Sequence, residues 1–259
     1  MNILQSIVSE RRADVEAAKA RAPIADLRVL AGRRTHHSLA QSLAGGSGTR
    51  VIAEIKKASP SAGLIRQDYA PAAIARSYEA AGAAGISVLT EPHRFQGSDQ
   101  HLREVREAVH IPVLRKDFVF DIYQVCETAA LGADVILLIV AALGKDLLRT
   151  LHREALAWGL EVLVEAHTAA ELKQALALEK AIIGVNSRNL KTLKTDLAVA
   201  RDLAGLIPAG RLAVAESGIR TRADIETLER LGYRGFLIGE SLMSAPDPAA
   251  KLNELIGPC

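Results

Sequence analysis

One repeat limits what this chain can fold into. Short apolar runs without polar alternation recur at 51–55 (VIAEI), 85–89 (GISVL), 111–114 (IPVL), 134–140 (DVILLIV), 161–164 (EVLV), 181–185 (AIIGV), 211–215 (RLAVA) and 235–239 (GFLIG). Unbroken Val/Ile/Leu runs of this length read as strands buried on both faces, the habit of parallel sheets. Stretches of helical period lie between them. Ile74, Tyr78 and Ala81 share a face in 71–83; Leu147, Leu151, Ala155 and Trp158 do so in 146–159; Ile225, Leu228 and Leu231 do so in 221–232. Gly82, Gly132, Gly159 and Gly232 stand where helix C-termini favour glycine.

Strands alternating with helices imply right-handed βα units around a parallel sheet. Eight such units after residue 50 fit a (β/α)8 TIM barrel, an α/β fold of about 250 residues. An open doubly wound sheet normally has fewer strands and a glycine-rich first turn, and the first turn here is KKASPSAG. Residues 1–259 therefore read as one barrel domain, with 1–48 an N-terminal helical extension packed on it. The extension shows a helix over 3–20, a break at Ala22-Pro23, a short helix over 24–31 and a linker, GGSGTR, at 45–50. Its pattern leaves open whether it caps the bottom of the barrel or covers the active face.

Composition narrows the function. With 32 basic and 30 acidic residues the formal charge is +2, which makes no electrostatic case for nucleic acid or an anionic membrane. No apolar run approaches the ~20 residues of a spanning helix, and the first twenty residues lack the pattern of a signal peptide. The two cysteines, Cys126 in an apolar helical run and Cys259 at the end, have no CxxC or histidine cluster beside them. A structural zinc and a disulfide framework are not expected, and a cytoplasmic location is.

In such a barrel the site lies at the C-terminal strand ends. Polar residues collect there: Glu54, Lys56, Lys57 and Ser59 after the first run; Thr90 and Glu91 after the second; Lys116, Asp117 and Phe118 at the third. Glu165 and His167 follow the fifth, Asn186, Ser187 and Arg188 the sixth, Glu216, Ser217 and Gly218 the seventh, and Gly239, Glu240 and Ser241 the eighth. The fourth run supplies an apolar wall. Residues i and i+2 of a strand point the same way, so Glu54 and Lys56 face inward above Ile52, and Lys57 does not. A single lysine after a strand is usually a solvated loop residue. Six polar groups buried at one mouth without a purpose would each cost several kcal/mol. The ESGI and IGES turns, with Ser59, could cradle a phosphate through backbone N–H groups.

Taken in order, AEIKKASPS, VLTEPHRFQGS, LRKDF, VLVEAH, IIGVNSRNL, AESGI and FLIGESLM resemble the indole-3-glycerol phosphate synthase family over nearly the whole chain. The resemblance implies a phosphorylated small-molecule substrate, ring closure with loss of carbon dioxide and water, and no metal or organic cofactor. It implies Lys116 as general acid, Glu165 and Glu54 as catalytic carboxylates and Lys56 as a further catalytic lysine near the substrate carboxylate. Asn186, Arg188 and Glu216 match substrate-binding positions, and Phe118, Phe95, Leu137 and Leu89 an aromatic pocket. Ser59, Ser217, Gly218, Gly239 and Glu240 match phosphate positions, Glu240 only if its side chain turns away. The expected partner is the substrate alone, the chain being a monomer or weak homo-oligomer. A barrel isomerase such as phosphoribosylanthranilate isomerase is the alternative, and it would need a Cys/Asp pair at strand ends. Replacing Lys116 by Ala should abolish turnover with little loss of folding.

Overall fold

Eight parallel strands close into a barrel, each hydrogen-bonded to the next, with the last returning to the first. They are β1 (Val51–Ile55), β2 (Gly85–Leu89), β3 (Val113–Lys116), β4 (Val135–Ile139), β5 (Glu161–Ala166), β6 (Ile182–Asn186), β7 (Ala213–Glu216) and β8 (Gly235–Ile238). This architecture comes from a computed structural model that describes residues 3–32, 35–46, 48–190 and 192–257. The expected third strand shifts toward the chain's C-terminus. Pro112, which has no N–H, precedes it, and the ladder runs on through Lys116.

The helices in chain order are α1 (Ile3–Arg21), α2 (Ile24–Ala31), α3 (Leu39–Ala44), α4 (Pro71–Ala80), α5 (Asp99–Ala108), α6 (Ile122–Ala130), α7 (Lys145–Ala157), α8 (Ala169–Leu176), α9 (Ala198–Ala204), α10 (Arg222–Arg230), α11 (Glu240–Met243) and α12 (Pro248–Ile256). Four helices end next to Gly82, Gly132, Gly159 and Gly232, all at positive φ as their helix-end positions suggested. Two stripes need correction. On α7 the buried face is Leu148, Leu151, His152 and Ala155, and Leu147 lies off its edge, 39% exposed. Leu231 is the C-cap of α10, where the chain leaves the helix, and is 42% exposed.

Strand alternation divides the core. Ile52, Leu114, Val135, Leu163, Ile182, Val214 and Leu237 point into the barrel, whereas Val51, Ala53, Ile55, Ile86 and Val88 pack outward with the helices. Cys126, on α6, lies in that outer layer, and Cys259 is outside the described residues. No helix among the described residues is long and apolar enough to cross a membrane.

The extension serves both ends of the barrel. At the bottom, Leu39 and Leu43 of α3 join the interior cluster. They fit against Gly85 and Gly235, where an added Cβ would come within 3.1 Å of Leu39 Cδ1 and 2.9 Å of Leu43 Cδ2. Glu161, at the start of β5, accepts from Ser38 Oγ at 2.5 Å and from Ala40 N at 2.9 Å, which ties the plug down. At the other end, Ile3, Leu4 and Ile7 of α1 form part of the wall of the cavity at the mouth.

Candidate active site

A cavity of about 450 Å³ opens at the C-terminal strand ends. Every residue that the resemblance singled out lines it: Glu54, Lys56 and Ser59; Leu89 and Phe95; Lys116 and Phe118; Leu137; Glu165; Asn186 and Arg188; Glu216, Ser217 and Gly218; Gly239 and Glu240. Lys57 does not, as its position one residue out of phase requires. The pairs sit close. Lys56 Nζ donates to Glu54 Oε1 at 2.9 Å, and Lys116 Nζ to Glu165 Oε2 at 3.1 Å. Lys116 Nζ also approaches Glu216 Oε2 at 3.5 Å. Asn186 Nδ2 donates to Glu165 Oε1 at 2.9 Å and so fixes that carboxylate from a second side.

These groups set one another's charge. Burial works against the Lys116 ammonium, but the carboxylates of Glu165, Glu216 and Glu54 outweigh it and hold the pKa above the ordinary lysine value. Burial would raise Glu54; Lys56 and Lys116 prevail, and its carboxyl stays below the usual range. Glu216 goes the other way. Burial pushes it up to about 8 against the pull of Lys116, and the negative charges of Glu165 and Glu54 add to the rise. Neither Glu216 oxygen has a hydrogen-bond partner among the described residues. Near neutral pH the mouth thus holds the Lys116 ammonium, the Glu54 carboxylate and a Glu216 carboxyl that keeps its proton, a set suited to acid and base steps in sequence.

Two inward glycines make room for this. A Cβ on Gly184 would lie 2.1 Å from Glu216 Oε1, and one on Gly239 would lie 2.3 Å from Glu54 Oε1. Real Cβ contacts do not come so close, so each carboxylate occupies the space that a side chain would fill. Gly239 therefore has a second task beside its expected phosphate role.

At the other side of the cavity, Ser217 and Gly218 both adopt left-handed backbone, φ 65 and 84, directly after β7. For Ser217 this is an uncommon conformation of the kind that collects at functional sites. The N–H groups of Gly218 and Ile219, and those of Glu240 and Ser241 at the start of α11, have no acceptor among the described residues. Such groups suit an anion. Glu240's side chain turns to Arg188, which donates to Oε2 at 2.7 Å, so only its backbone is left for the cradle. Arg188 also binds Ser61 Oγ and thereby joins the loops after β1, β6 and β8.

Arg11 and Arg115 carry no signal in the sequence, and they decide what Asp117 does. Asp117 borders the cavity, but its carboxylate is taken up elsewhere. It is buried under an ion network in which Arg11 of α1 donates through Nε at 3.2 Å and Nη2 at 2.8 Å, and Thr90 Oγ1 at 2.8 Å. Arg115, fully buried, completes the network and also reaches Asp99 and Glu127. Glu91 accepts the N–H groups of His93, Arg94 and Phe95 and so shapes the turn that presents Phe95. Ile3, Leu4, Ile7, Arg220 and Lys251 also line the cavity. Apolar residues early in α1 were visible in the sequence. Nothing in the spacing linked Arg11 to Asp117 across more than a hundred residues.

Acid–base chemistry on a small anionic molecule is what such a mouth supports, and the class it defines is that of (β/α)8-barrel enzymes acting on phosphorylated substrates. Within that class the chain belongs to the indole-3-glycerol phosphate synthase family, whose sequence model matches residues 4–255. It is 44% identical over 257 residues to the indole-3-glycerol phosphate synthase of Burkholderia vietnamiensis, covering 98% of both chains. The synthase of Azospirillum brasilense is 45% identical over 260 residues, with 98% of this chain and 99% of that protein covered. Among solved structures, 3-hexulose-6-phosphate synthase from Salmonella typhimurium superposes with a TM-score of 0.63 at 11% identity, over 80% of this chain and 96% of that one. That likeness concerns the barrel alone.

Proposed function

We propose that this chain converts 1-(2-carboxyphenylamino)-1-deoxyribulose 5-phosphate to indole-3-glycerol phosphate with loss of carbon dioxide and water, a carboxy-lyase step of tryptophan biosynthesis. Family membership supports the reaction. The observation that carries the residue roles is Lys116, an ammonium kept charged in the cavity by Glu165 and Glu54.

Ring closure forms a carbon–carbon bond to the substrate's ketone carbon, and the carbonyl electron pair moves to oxygen. Lys116 gives that oxygen a proton, a contribution worth several kcal/mol in the transition state. The bond to the carboxylate then breaks, carbon dioxide leaves, and the pair restores the aromatic ring. The hydroxyl leaves as water after taking a second proton, while a proton is lost from the carbon beside nitrogen. Glu165 and Glu54 serve these later transfers, with Lys56 beside Glu54 assisting near the substrate carboxylate. Glu216 and Asn186 hold the ribulose hydroxyls. Phe95, Phe118, Leu89 and Leu137 enclose the aromatic ring. Arg188 meets the substrate carboxylate by exchanging one of its present partners. Ser59 and the backbone at Ser217, Gly218, Gly239 and Glu240 take the phosphate. The partner is this small molecule alone, and the chain works in the cytoplasm as a monomer or weak homo-oligomer.

Indole fluorescence should appear when purified protein meets this substrate and be absent with Lys116→Ala. Substrate consumption without indole fluorescence would sink the reading. The isomerase alternative lacks its thiol among the described residues: Cys126 belongs to α6, and burial pushes it up to about 11.

A further inference from the structure

A second cavity, about 430 Å³, runs beneath α1 beside the first. Leu4, Ile139, Leu190 and Glu165 border both cavities. His167 lines only the second. Its Nδ1 lies 2.6 Å from the carbonyl oxygen of Asn186. A carbonyl can only accept, so Nδ1 carries the hydrogen of the neutral ring and Nε2 its lone pair. Nε2 is thus the nitrogen that can take up a proton. The backbone N–H of His167 donates to Glu171 Oε2 at 2.8 Å, which fixes the residue at a second point. The titratable groups facing this cavity are Arg12, Glu165, His167 and Glu171.

The reaction needs a proton supply, and this argument rests on the function proposed above. Two protons go to the departing oxygen and one is lost from carbon. With the substrate carboxylate ionised, each turnover therefore takes one proton from solvent. Bound substrate fills the first cavity and blocks that route while the protons are needed. The second cavity reaches the wall formed by Glu165 from the other side.

We infer that His167 relays protons from solvent to Glu165 through the cavity under α1. The ring takes a proton at Nε2, passes it inward through water to the carboxylate and returns to its neutral form, so atoms and charge balance over the cycle. His167 acts through Glu165 and does not touch the substrate.

His167→Asn tests this, because its side-chain amide keeps a donor for the Asn186 carbonyl and removes the second nitrogen. In the full-length protein kcat should fall about tenfold with KM and Tm unchanged, and added imidazole should restore it. The restored rate should follow the protonation of imidazole with pH. A second variant, Ala142→Phe, keeps His167 but fills the cavity. It should lose kcat similarly and resist imidazole. The inference is overturned if either variant turns over within about twofold of the wild type, or if His167→Asn is slow and imidazole does nothing. Absence of indole product from the wild type would instead strike the proposed function itself.

Discussion

Lys116 Nζ lies 3.5 Å from Glu216 Oε2, an oxygen that no hydrogen bond from the described residues satisfies. A buried carboxyl beside an ammonium normally ionises. Here burial and two further carboxylates prevail, and the proton stays on until about pH 8.

That proton makes stability depend on pH with a definite sign. Glu216 titrates near 8 in the folded chain and near its ordinary 4.5 when unfolded. Its contribution is full below about pH 4.5 and is lost as pH rises through about 8. The Tm of the wild type should therefore drop relative to Glu216→Gln between about pH 5 and about pH 9. Thermal unfolding followed by circular dichroism would show it, and a constant offset between the two proteins would refute it.

Lys116→Ala should lower kcat by about a thousandfold or more. The expectation that folding would be spared changes with the structure. Lys116 is the cation beside Glu165 and Glu216, so its removal leaves those buried carboxylates without a cation. A loss of about 3 kcal/mol is expected near pH 8.5, shrinking toward pH 6 as carboxyls protonate. Urea unfolding at both pH values measures this.

Gly184→Ala and Gly239→Ala should each displace one carboxylate, Glu216 in the first case and Glu54 in the second. The expected cost is about 1–3 kcal/mol of stability, with kcat at least about tenfold lower. Gly144→Ala is the control, because nothing lies within 4 Å of its Cβ position and its φ is −73. It should leave rate and Tm unchanged.

Arg11→Ala should raise KM, since α1 carries Ile3, Leu4 and Ile7 on the cavity wall and Arg11 ties it to Asp117. It also leaves the buried Asp117 short of a partner, at a cost of about 3 kcal/mol near neutral pH. Burial would raise Asp117, but Arg11 and Arg115 hold its carboxyl below the usual range. The stability it brings is present at neutral pH and lost as pH falls through that lowered value. The difference between Arg11→Ala and wild type should thus narrow in acid, which denaturant titration at pH 7 and pH 3.5 would reveal.

The barrel was legible because eight apolar runs can pair only one way economically. The mouth was legible because period-two alternation separates Glu54 and Lys56 from Lys57. Asn186 and Glu216 followed from the same strand-end rule. What stayed hidden depends on distance in sequence. Nothing near Arg11 announces Asp117, and nothing near Gly184 announces that Glu216 will need its space. Leu147 and Leu231 show a local limit. Three-residue and four-residue spacing places apolar residues near a stripe, while the packing angle of the helix and the point where it ends decide which are covered. The sequence left open where the extension packs; α3 sits beneath the barrel, and α1 borders the cavity at its mouth.

The leucines beneath the barrel have a consequence for how the chain is made. Leu39 rests on Gly85, but Leu43 needs Gly235, which a ribosome delivers almost two hundred residues later. The segment that carries Leu43 therefore has no finished seat until the strand that carries Gly235 has been made, and it must wait with apolar side chains uncovered. Closing the floor of the barrel is then a late event in folding, made by a helix that leaves the ribosome before any of the eight strands it seals.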